Sequence, residues 1–315
     1  MRRESVPRPR AGAALLLLVL LAGCAAPQTA RLLKEHPADL PPRAEIDAAP
    51  FYPQERYQCG PAALATVLVH AGVDTSPAAL VPLVYLPARQ GSLQVEMQAA
   101  TRRHGLIAYP LAPRLEDVLR EVAAGNPVVV LQNLALDLWP VWHYAVVVGY
   151  DQGAQEIVLR SGTTRRLTMS WSRFERTWAR SKHWAMVAMA PQRLPATAEE
   201  HAYVAAAVAL ERVDASAAHQ AYGTALQRWP HNLPARIGLG NTAYARGDLA
   251  TAEAAYRQAV RDHPHSADAW NNLAQVLVES GRKGEALAAA QRAVSLGGPR
   301  LSLYRATLEA IQEAQ

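Results

Sequence analysis

A single cysteine, Cys59, stands before Gly60 and Pro61 at the head of an apolar segment, and its thiol is the first candidate for chemistry. A thiol attacks a carbonyl carbon as the thiolate, and a helix N-terminus stabilises that anion. The pattern from Cys59 to Ala71 predicts a helix, with Pro61 in the tolerated first turn and Gly72 as the stop. The ordinary alternative for a lone cysteine is a small buried hydrophobic residue.

Attack by a thiol also needs a base that takes its proton and later protonates the leaving amine. Of the ten histidines, His143 begins the apolar segment HYAVVVGY, so a strand would hold its ring at one edge of a cleft. His70 lies about 16 Å away, at the far end of the helix of Cys59, and His104 is placed to cap a helix. A hydrogen-bonded histidine at a strand end is the alternative reading of His143.

A third requirement is a donor for the negative oxygen that develops on the substrate. Gln54 and Gln58 both precede Cys59, and either side-chain amide could join the Cys59 N–H in this role. We favour Gln54, because its position several residues upstream lets it loop back, whereas Gln58 is adjacent and would point away from the thiol. A solvated loop glutamine is the alternative for both.

The elements around these residues predict a mixed helix-and-strand domain over residues 51–191. Helices are expected at Leu93–His104 and Leu115–Ala124, and each is followed by a glycine. A run of strands follows, which predicts an α+β fold with a largely antiparallel sheet. The strand candidates are Pro127–Gln132, His143–Tyr150, Glu156–Arg160 and Trp184–Ala190.

The last third of the chain repeats itself every 34 residues. Pro230 recurs as Pro264 and Tyr222 as Tyr256, among other pairs with the same offset. This period resembles the tetratricopeptide repeat, so we expect an all-α repeat solenoid over residues 199–315, with a weaker first copy at about 201–231. The resemblance implies a concave face that binds a protein partner. A generic alanine-rich bundle is the alternative.

The order of motifs in residues 51–190 resembles the bacteriocin-processing (double-glycine leader) peptidase family, which has a papain-like cysteine peptidase fold. The resemblance implies Cys59 as nucleophile, His143 as base and Gln54 as oxyanion donor, and it extends to lipoprotein members that carry a tetratricopeptide tail. The motifs are Gln54-x4-Cys59-Gly60-Pro61-Ala62-Ala63-Leu64, Gly125-x-Pro127-Val128-Val129 and His143-Tyr144-x-Val146-Val147-x-Gly149-Tyr150.

The sequence departs from that family in two places. The glutamine is one residue closer to the cysteine than is usual. The family's third catalytic residue, an Asp one strand after the histidine, is absent, and the corresponding segment reads Leu159-Arg160-Ser161-Gly162. Ser161 could accept a hydrogen bond from the imidazole in its place. Asp151 lies about 25 Å along an extended strand from His143 and is a poor substitute.

The N-terminus predicts export. Basic residues precede the apolar run Ala11–Ala22, which is shorter than the roughly 20 residues that span a bilayer, so residues 1–23 read as a secretory signal peptide. The ending Leu21-Ala22-Gly23-Cys24 resembles a lipobox. That resemblance implies lipidation of Cys24, and Ala25 after it implies the outer membrane, on its periplasmic face. The alternative is an ordinary signal peptide cut near Ala25-Ala26.

Charge and cysteine count narrow the class of function. Residues 1–23 account for +3 of the net charge of +5, and no dense basic run remains, which argues against nucleic-acid binding. With Cys24 assigned to a lipid, Cys59 has no disulfide partner. No group of residues has metal-ligand spacing, so neither metal nor cofactor is expected. Residues 24–50, rich in Ala and Pro, are expected to be a tether.

Together these patterns predict a lipid-anchored envelope cysteine peptidase that acts on a peptide or protein, with repeats for a substrate or partner. One alternative is a non-catalytic adaptor whose papain-like domain only binds. Another is a transamidase, which shares the acyl-enzyme and differs only in the acceptor. Trp139 and Trp142, which lie just before the base in the sequence, are expected to pack at the cleft edge, or alternatively to line a substrate groove.

Overall fold

The computed structural model describes residues 26–35, 37–54 and 57–313. The predicted signal peptide, 1–23, and the predicted lipidation site, Cys24, lie outside the described residues. Within the described residues, no helix is both long and apolar enough to cross a bilayer.

An antiparallel sheet forms the centre of the first half of the chain. Its strand order is β2-β7-β3-β4-β5-β6, and β1 pairs antiparallel with the end of β4. The long strand β4 pairs antiparallel with β3 on one side and β5 on the other. The strands are β1 Arg43–Glu45, β2 Ile107–Pro110, β3 Val128–Asn133, β4 Trp142–Asp151, β5 Glu156–Ser161, β6 Thr164–Ser170 and β7 Ala185–Met189.

Six helices accompany this sheet in the described residues. The central one, α2, is apolar on every side, and its residues from Gly60 to Leu68 are all buried, which is typical of a helix enclosed in a core. It packs against β4. The helices are α1 Pro27–Glu35, α2 Cys59–His70, α3 Pro77–Val84, α4 Gln94–Arg103, α5 Leu115–Ala123 and α6 Trp171–Ala179. The predicted α+β class is confirmed.

The predicted tether over residues 24–50 is wrong for its described part. In α1, Thr29 donates to the Glu175 carboxylate through both its N–H and its hydroxyl, at 2.7 Å each. Further on, Ile46 N–H donates to Val148 O at 2.7 Å, and Leu40 is buried. The alanine and proline residues of this segment therefore lie in packed structure, because the apolar side chains between them, such as Leu40, are buried.

Close approach by β1 explains a glycine in β4. A Cβ built at Gly149 would lie 2.9 Å from the Ala44 carbonyl oxygen, so only glycine lets β1 pair at that point. The segment of residues 37–50 is thereby fixed along the sheet.

A run of antiparallel helix pairs forms the last third, as predicted. The helices that open successive pairs begin 33 or 34 residues apart, at Glu200, Leu233, Ala267 and Leu301. The helices are α7 Glu200–Glu211, α8 Ala215–Arg228, α9 Leu233–Ala245, α10 Leu249–Asp262, α11 Ala267–Glu279, α12 Lys283–Leu296 and α13 Leu301–Glu313.

The boundary between the compact units differs from the predicted division at residues 191–199. One unit holds the described residues up to Ser92 together with Pro110–Met186, and the other holds Leu93–Tyr109 together with the described residues from Val187 onward. Tyr109 explains part of this. Its hydroxyl donates to Thr197 O and accepts from Glu199 N–H, both at 3.0 Å, which ties the end of β2 to the segment before α7.

Within the repeats, glycine provides the space for a buried tyrosine. A Cβ at Gly238 in α9 would overlap the ring of Tyr222, which is fully buried in α8. The same relation joins Gly240 to Tyr256, one repeat later. Small residues therefore set how closely these helices cross.

Gly238→Ala is expected to destabilise the repeat helices by about 1–3 kcal/mol, because the new methyl group must displace a packed ring. Gly223→Ala is the matched control, since a Cβ there meets nothing within 4 Å. That change should stabilise α8 by about 0.5–1 kcal/mol through helix propensity. Thermal melting followed by circular dichroism checks both, and equal effects of the two variants would contradict this packing.

Candidate active site

Cys59 is the first residue of α2, so its side chain lies at the positive end of that helix. Backbone N–H groups of Tyr144, Gly60 and Cys59 itself lie near the sulfur and favour its charged form. The residue is half-buried and is a free thiol. The helix prediction over 59–71 is confirmed to within one residue.

Burial decides the charge state of this thiol. Desolvation raises the pKa of Cys59, and the three N–H groups only partly oppose it. The sequence predicted that the helix terminus would lower the pKa of Cys59, whereas in the free protein this pKa is raised. The terminus does contribute as expected, but the loss of water around the sulfur outweighs it.

His143 is the second residue of β4, and its ring is half-buried. Its Nε2 lies 2.8 Å from the Ser161 hydroxyl oxygen, at the end of the neighbouring strand β5. Burial of the ring lowers the pKa of His143, and no carboxylate among the described residues raises it. The imidazole is accordingly neutral at pH 7.

The main chain of Tyr144, the residue after His143, lies next to the thiol. Its N–H is one of the groups that lower the pKa of Cys59. Among the hydrogen bonds of the described residues, none joins the sulfur to the His143 ring. The structure therefore places Cys59 beside the residue that follows His143 in β4.

Gln54 contacts the main chain of the same residue, Tyr144, at its carbonyl. Its side-chain Nε2 donates to Tyr144 O at 3.5 Å, the long end of a hydrogen bond, and its N–H donates to Gly162 O at 3.0 Å. Gln58 is the residue that caps the start of α2, and its side chain makes no capping hydrogen bond. Gln54 therefore hydrogen-bonds to Tyr144, the residue whose N–H lies near the Cys59 sulfur.

The remaining sequence candidates lie elsewhere. His70 Nε2 is 3.0 Å from Gly125 O, at the far end of α2. His104 is the residue after α4. Asp151 is at the opposite end of β4 from His143, where its Oδ1 accepts from Ala154 N–H at 2.9 Å. No group of three or more His, Cys, Asp or Glu side chains in the described ranges is arranged to hold a metal ion.

Two features of the site were missed by sequence reasoning. The first is the main chain of Tyr144, which carries no signal because any residue type provides it. The second is the exposure of Trp139 and Trp142, whose relative exposures are 72% and 50%. The expectation that they pack at the cleft edge is wrong. The apolar run from Leu134 to Trp142 was the available signal.

Known proteins resemble the two parts of the chain separately. The profile described as "Peptidase_C39 like family" matches residues 46–186, and the tetratricopeptide repeat profile matches residues 237–300. No curated protein matches the chain. The first helix pair of the repeats, α7 and α8, precedes the matched range.

Two solved structures are each similar to part of the chain. A putative C39-like peptidase from Bacillus anthracis is 18% identical, with a TM-score of 0.40, covering 47% of this chain and 97% of its own. The type III secretion translocator chaperone SycD of Yersinia enterocolitica is 19% identical, with a TM-score of 0.33, covering 35% of this chain and 81% of its own.

The thiol of Cys59 is expected to react with iodoacetamide only as the pH rises above the ordinary thiol range of about 8.5, because burial raises its pKa. The measurement is the alkylation rate against pH, by mass spectrometry. Ser161→Asp should place a carboxylate at His143 Nε2, raise the pKa of the imidazole by about one pH unit or more, and speed alkylation at neutral pH.

Ser161→Asn is the matched control, since it has the shape of the aspartate without the charge. NMR titration of the His143 ring measures its pKa in each variant. An alkylation midpoint below about pH 8 for the wild-type Cys59 thiol would contradict the electrostatic account. Equal effects of Asp and Asn on the pKa of His143 would contradict it too.

On these comparisons, the chain carries a Peptidase_C39-like domain over residues 46–186, followed by a tetratricopeptide repeat region.

Proposed function

We propose that this protein is a lipid-anchored cysteine peptidase of the cell envelope that cleaves a peptide or protein. The observation that carries the proposal is the convergence on the main chain of one residue: Cys59 near the Tyr144 N–H, Gln54 at the Tyr144 carbonyl, and His143 one residue before. This arrangement supports the roles that the sequence suggests for the three residues.

The proton chemistry runs from a neutral pair. When the Nε2–H of His143 donates to Ser161 Oγ, the Nδ1 lone pair is left to accept the thiol proton. Sulfur then attacks the carbonyl carbon as the proton moves to Nδ1, and the imidazolium returns that proton to the leaving amine. Ser161 fixes the tautomer and the ring direction, although it stabilises the imidazolium less than a carboxylate does.

The oxyanion donors are the Cys59 N–H and the Gln54 side-chain amide. The bond from Gln54 Nε2 to Tyr144 O is long, so it costs little to exchange it for a stronger bond to a developing O⁻. A substrate carbonyl between the sulfur and the amide completes the site.

Cys59→Ala is expected to abolish cleavage of any peptide substrate by the mature protein. Gln54→Ala should lower kcat by about 10²–10³ with little change in KM, because it removes a bond made in the transition state. Gln58→Ala is the matched control and should change kcat by less than about three-fold. Chromatography of the cleaved peptides gives the rates, and turnover by Cys59→Ala would remove the mechanism.

An envelope adaptor is the second candidate, favoured by the raised pKa of Cys59 and by a serine in place of the family's aspartate. The two candidates differ in covalent chemistry. A peptidase forms a thioester between Cys59 and the substrate, which mass spectrometry detects, whereas an adaptor binds its partner equally well after Cys59→Ala. Product masses with an added amine separate hydrolysis from transamidation.

The repeats provide a second binding surface in this proposal. A groove of about 480 Å³ lies between α7 and α9, with the apolar side chains of Val204, Val208 and Pro234 beside the polar Glu200 and His201. Such a groove suits an extended or helical segment of a protein partner.

Lipid attachment at Cys24 is expected to be lost in Cys24→Ser. Labelling of growing cells with a radioactive fatty acid should mark the parent chain and leave the variant unmarked. The chain with Cys59→Ala is the matched control, because it alters the other thiol and should remain labelled. Label that persists in Cys24→Ser would contradict the anchor while leaving the peptidase mechanism untouched.

A further inference from the structure

The loop between β3 and β4 exposes a concentrated set of apolar side chains directly before the base. Six large apolar residues in nine positions are each 47–75% exposed, and we name them the apolar tip. The other exposed large apolar side chains of the described residues are spread singly over the chain. A contiguous apolar patch of this kind marks a binding surface. The apolar tip comprises Leu134, Leu136, Leu138, Trp139, Val141 and Trp142.

The loop that carries the apolar tip is held in one shape by its own hydrogen bonds. The buried Asn133 accepts from Ala135 N–H at 3.1 Å and from Val141 N–H at 2.9 Å through its Oδ1. Arg180 donates to Asn133 O at 3.0 Å from the end of α6. A fixed loop binds without a large ordering cost. The apolar side chains are therefore presented outward by a braced support.

The form of the apolar tip suits a bilayer interface better than a peptide. Sites for peptides and small ligands are concave and bury their apolar walls, whereas these side chains stand in solvent. Tryptophan and leucine together are typical of segments that enter the headgroup region. The single charge in the loop, Asp137, is 82% exposed and lies 4.0 Å from Arg180, which confines insertion to a depth where a carboxylate stays hydrated.

The N-terminal end of the described body lies near this loop. Gln28 in α1 donates through its N–H to Glu175 of α6 at 2.9 Å, and its Oε1 accepts from Leu115 N–H at 2.6 Å. Four residues separate Gln28 from Cys24, at most about 14 Å of chain. Arg180, at the end of α6, comes five residues after Glu175, a rise of about 7.5 Å along the helix axis. A lipid on Cys24 would hold the loop within reach of the same bilayer.

We propose that the apolar tip inserts into the interfacial layer of the bilayer, so that His143, directly after the apolar tip in the sequence, lies close to the membrane surface. The orientation rests on the lipid anchor of the proposed function, whereas insertion itself does not. The substrates that this arrangement favours are polypeptide segments close to the membrane. Two contacts, the acyl chain and the apolar tip, give stable attachment where a single chain gives only reversible binding.

The test uses the mature chain, residues 24–315, with Cys24→Ser so that no acyl chain contributes. The probe is a vesicle of phosphatidylethanolamine and phosphatidylglycerol, and co-sedimentation measures the bound fraction. The parent chain should bind, with a blue shift of tryptophan fluorescence. Leu138→Asp with Trp139→Asp should lower the partition coefficient about ten-fold or more, because two inserted apolar side chains become charged.

Val213→Asp with Leu303→Asp is the matched control, since these side chains are 51% and 48% exposed in the repeats. It should bind like the parent chain. If the acidic loop pair lowers the melting temperature, Leu138→Ser with Trp139→Ser decides the comparison with less disturbance.

Two outcomes would overturn the proposal. One is a parent chain that does not bind vesicles, or loop variants that bind as tightly as the parent. The other is a loop variant that raises KM for a soluble peptide while vesicle binding is unchanged, which would make the apolar tip a substrate contact. Because neither the Cys59 thiol nor an acyl chain takes part in vesicle binding, its failure is distinguishable from failure of peptidase activity or of lipidation.

Discussion

The site depends on where one strand pairing ends. The register of β4 with β5 closes at Val146 and Arg160, so no β5 residue is paired with Tyr144. Buried main-chain N–H and C=O groups require partners, and here the partners are Cys59 and Gln54. Had β5 continued to pair with β4, its backbone would occupy the space of the thiol. The ladder stops four residues short of the start of β4, which leaves the main chain of Tyr144 open to Cys59 and Gln54.

The same strand ending explains how a serine comes to contact the histidine. Ser161 is the last residue of β5, at the point where that strand turns toward β6. Its short side chain reaches His143 Nε2 at 2.8 Å. A hydroxyl there fixes ring direction without supplying charge, so burial alone sets the protonation of the imidazole. The Ser161 contact orients the His143 ring, as the third residue of a catalytic triad would. It does not stabilise a charged imidazolium as a carboxylate would.

Sequence patterns foresaw this architecture where the signal was periodic or local. The 34-residue offset of Tyr222 and Tyr256 predicted the repeats, since each tyrosine fills the same crossing in its own repeat. Local patterns predicted the helix that begins at Cys59 and the strand that carries His143. The packing of residues 26–50 was not predicted, because their alanine and proline content resembles a linker. The sign of the thiol pKa was not predictable either, since it depends on how much water the fold excludes from the sulfur.

In the proposed envelope peptidase, a protonated thiol would resolve a difficulty that the cysteine of an exported protein faces. Oxidation to sulfenic acid or a mixed disulfide proceeds through the thiolate, so a thiol that favours the activated form is also the one lost first in an oxidising compartment. In this chain burial raises the pKa of Cys59 and lowers that of His143. Both shifts favour the neutral pair at rest. Under the proposed function, the proton moves to the imidazole only when a substrate carbonyl lies against the sulfur, so the burial that slows attack in the free protein also preserves the nucleophile.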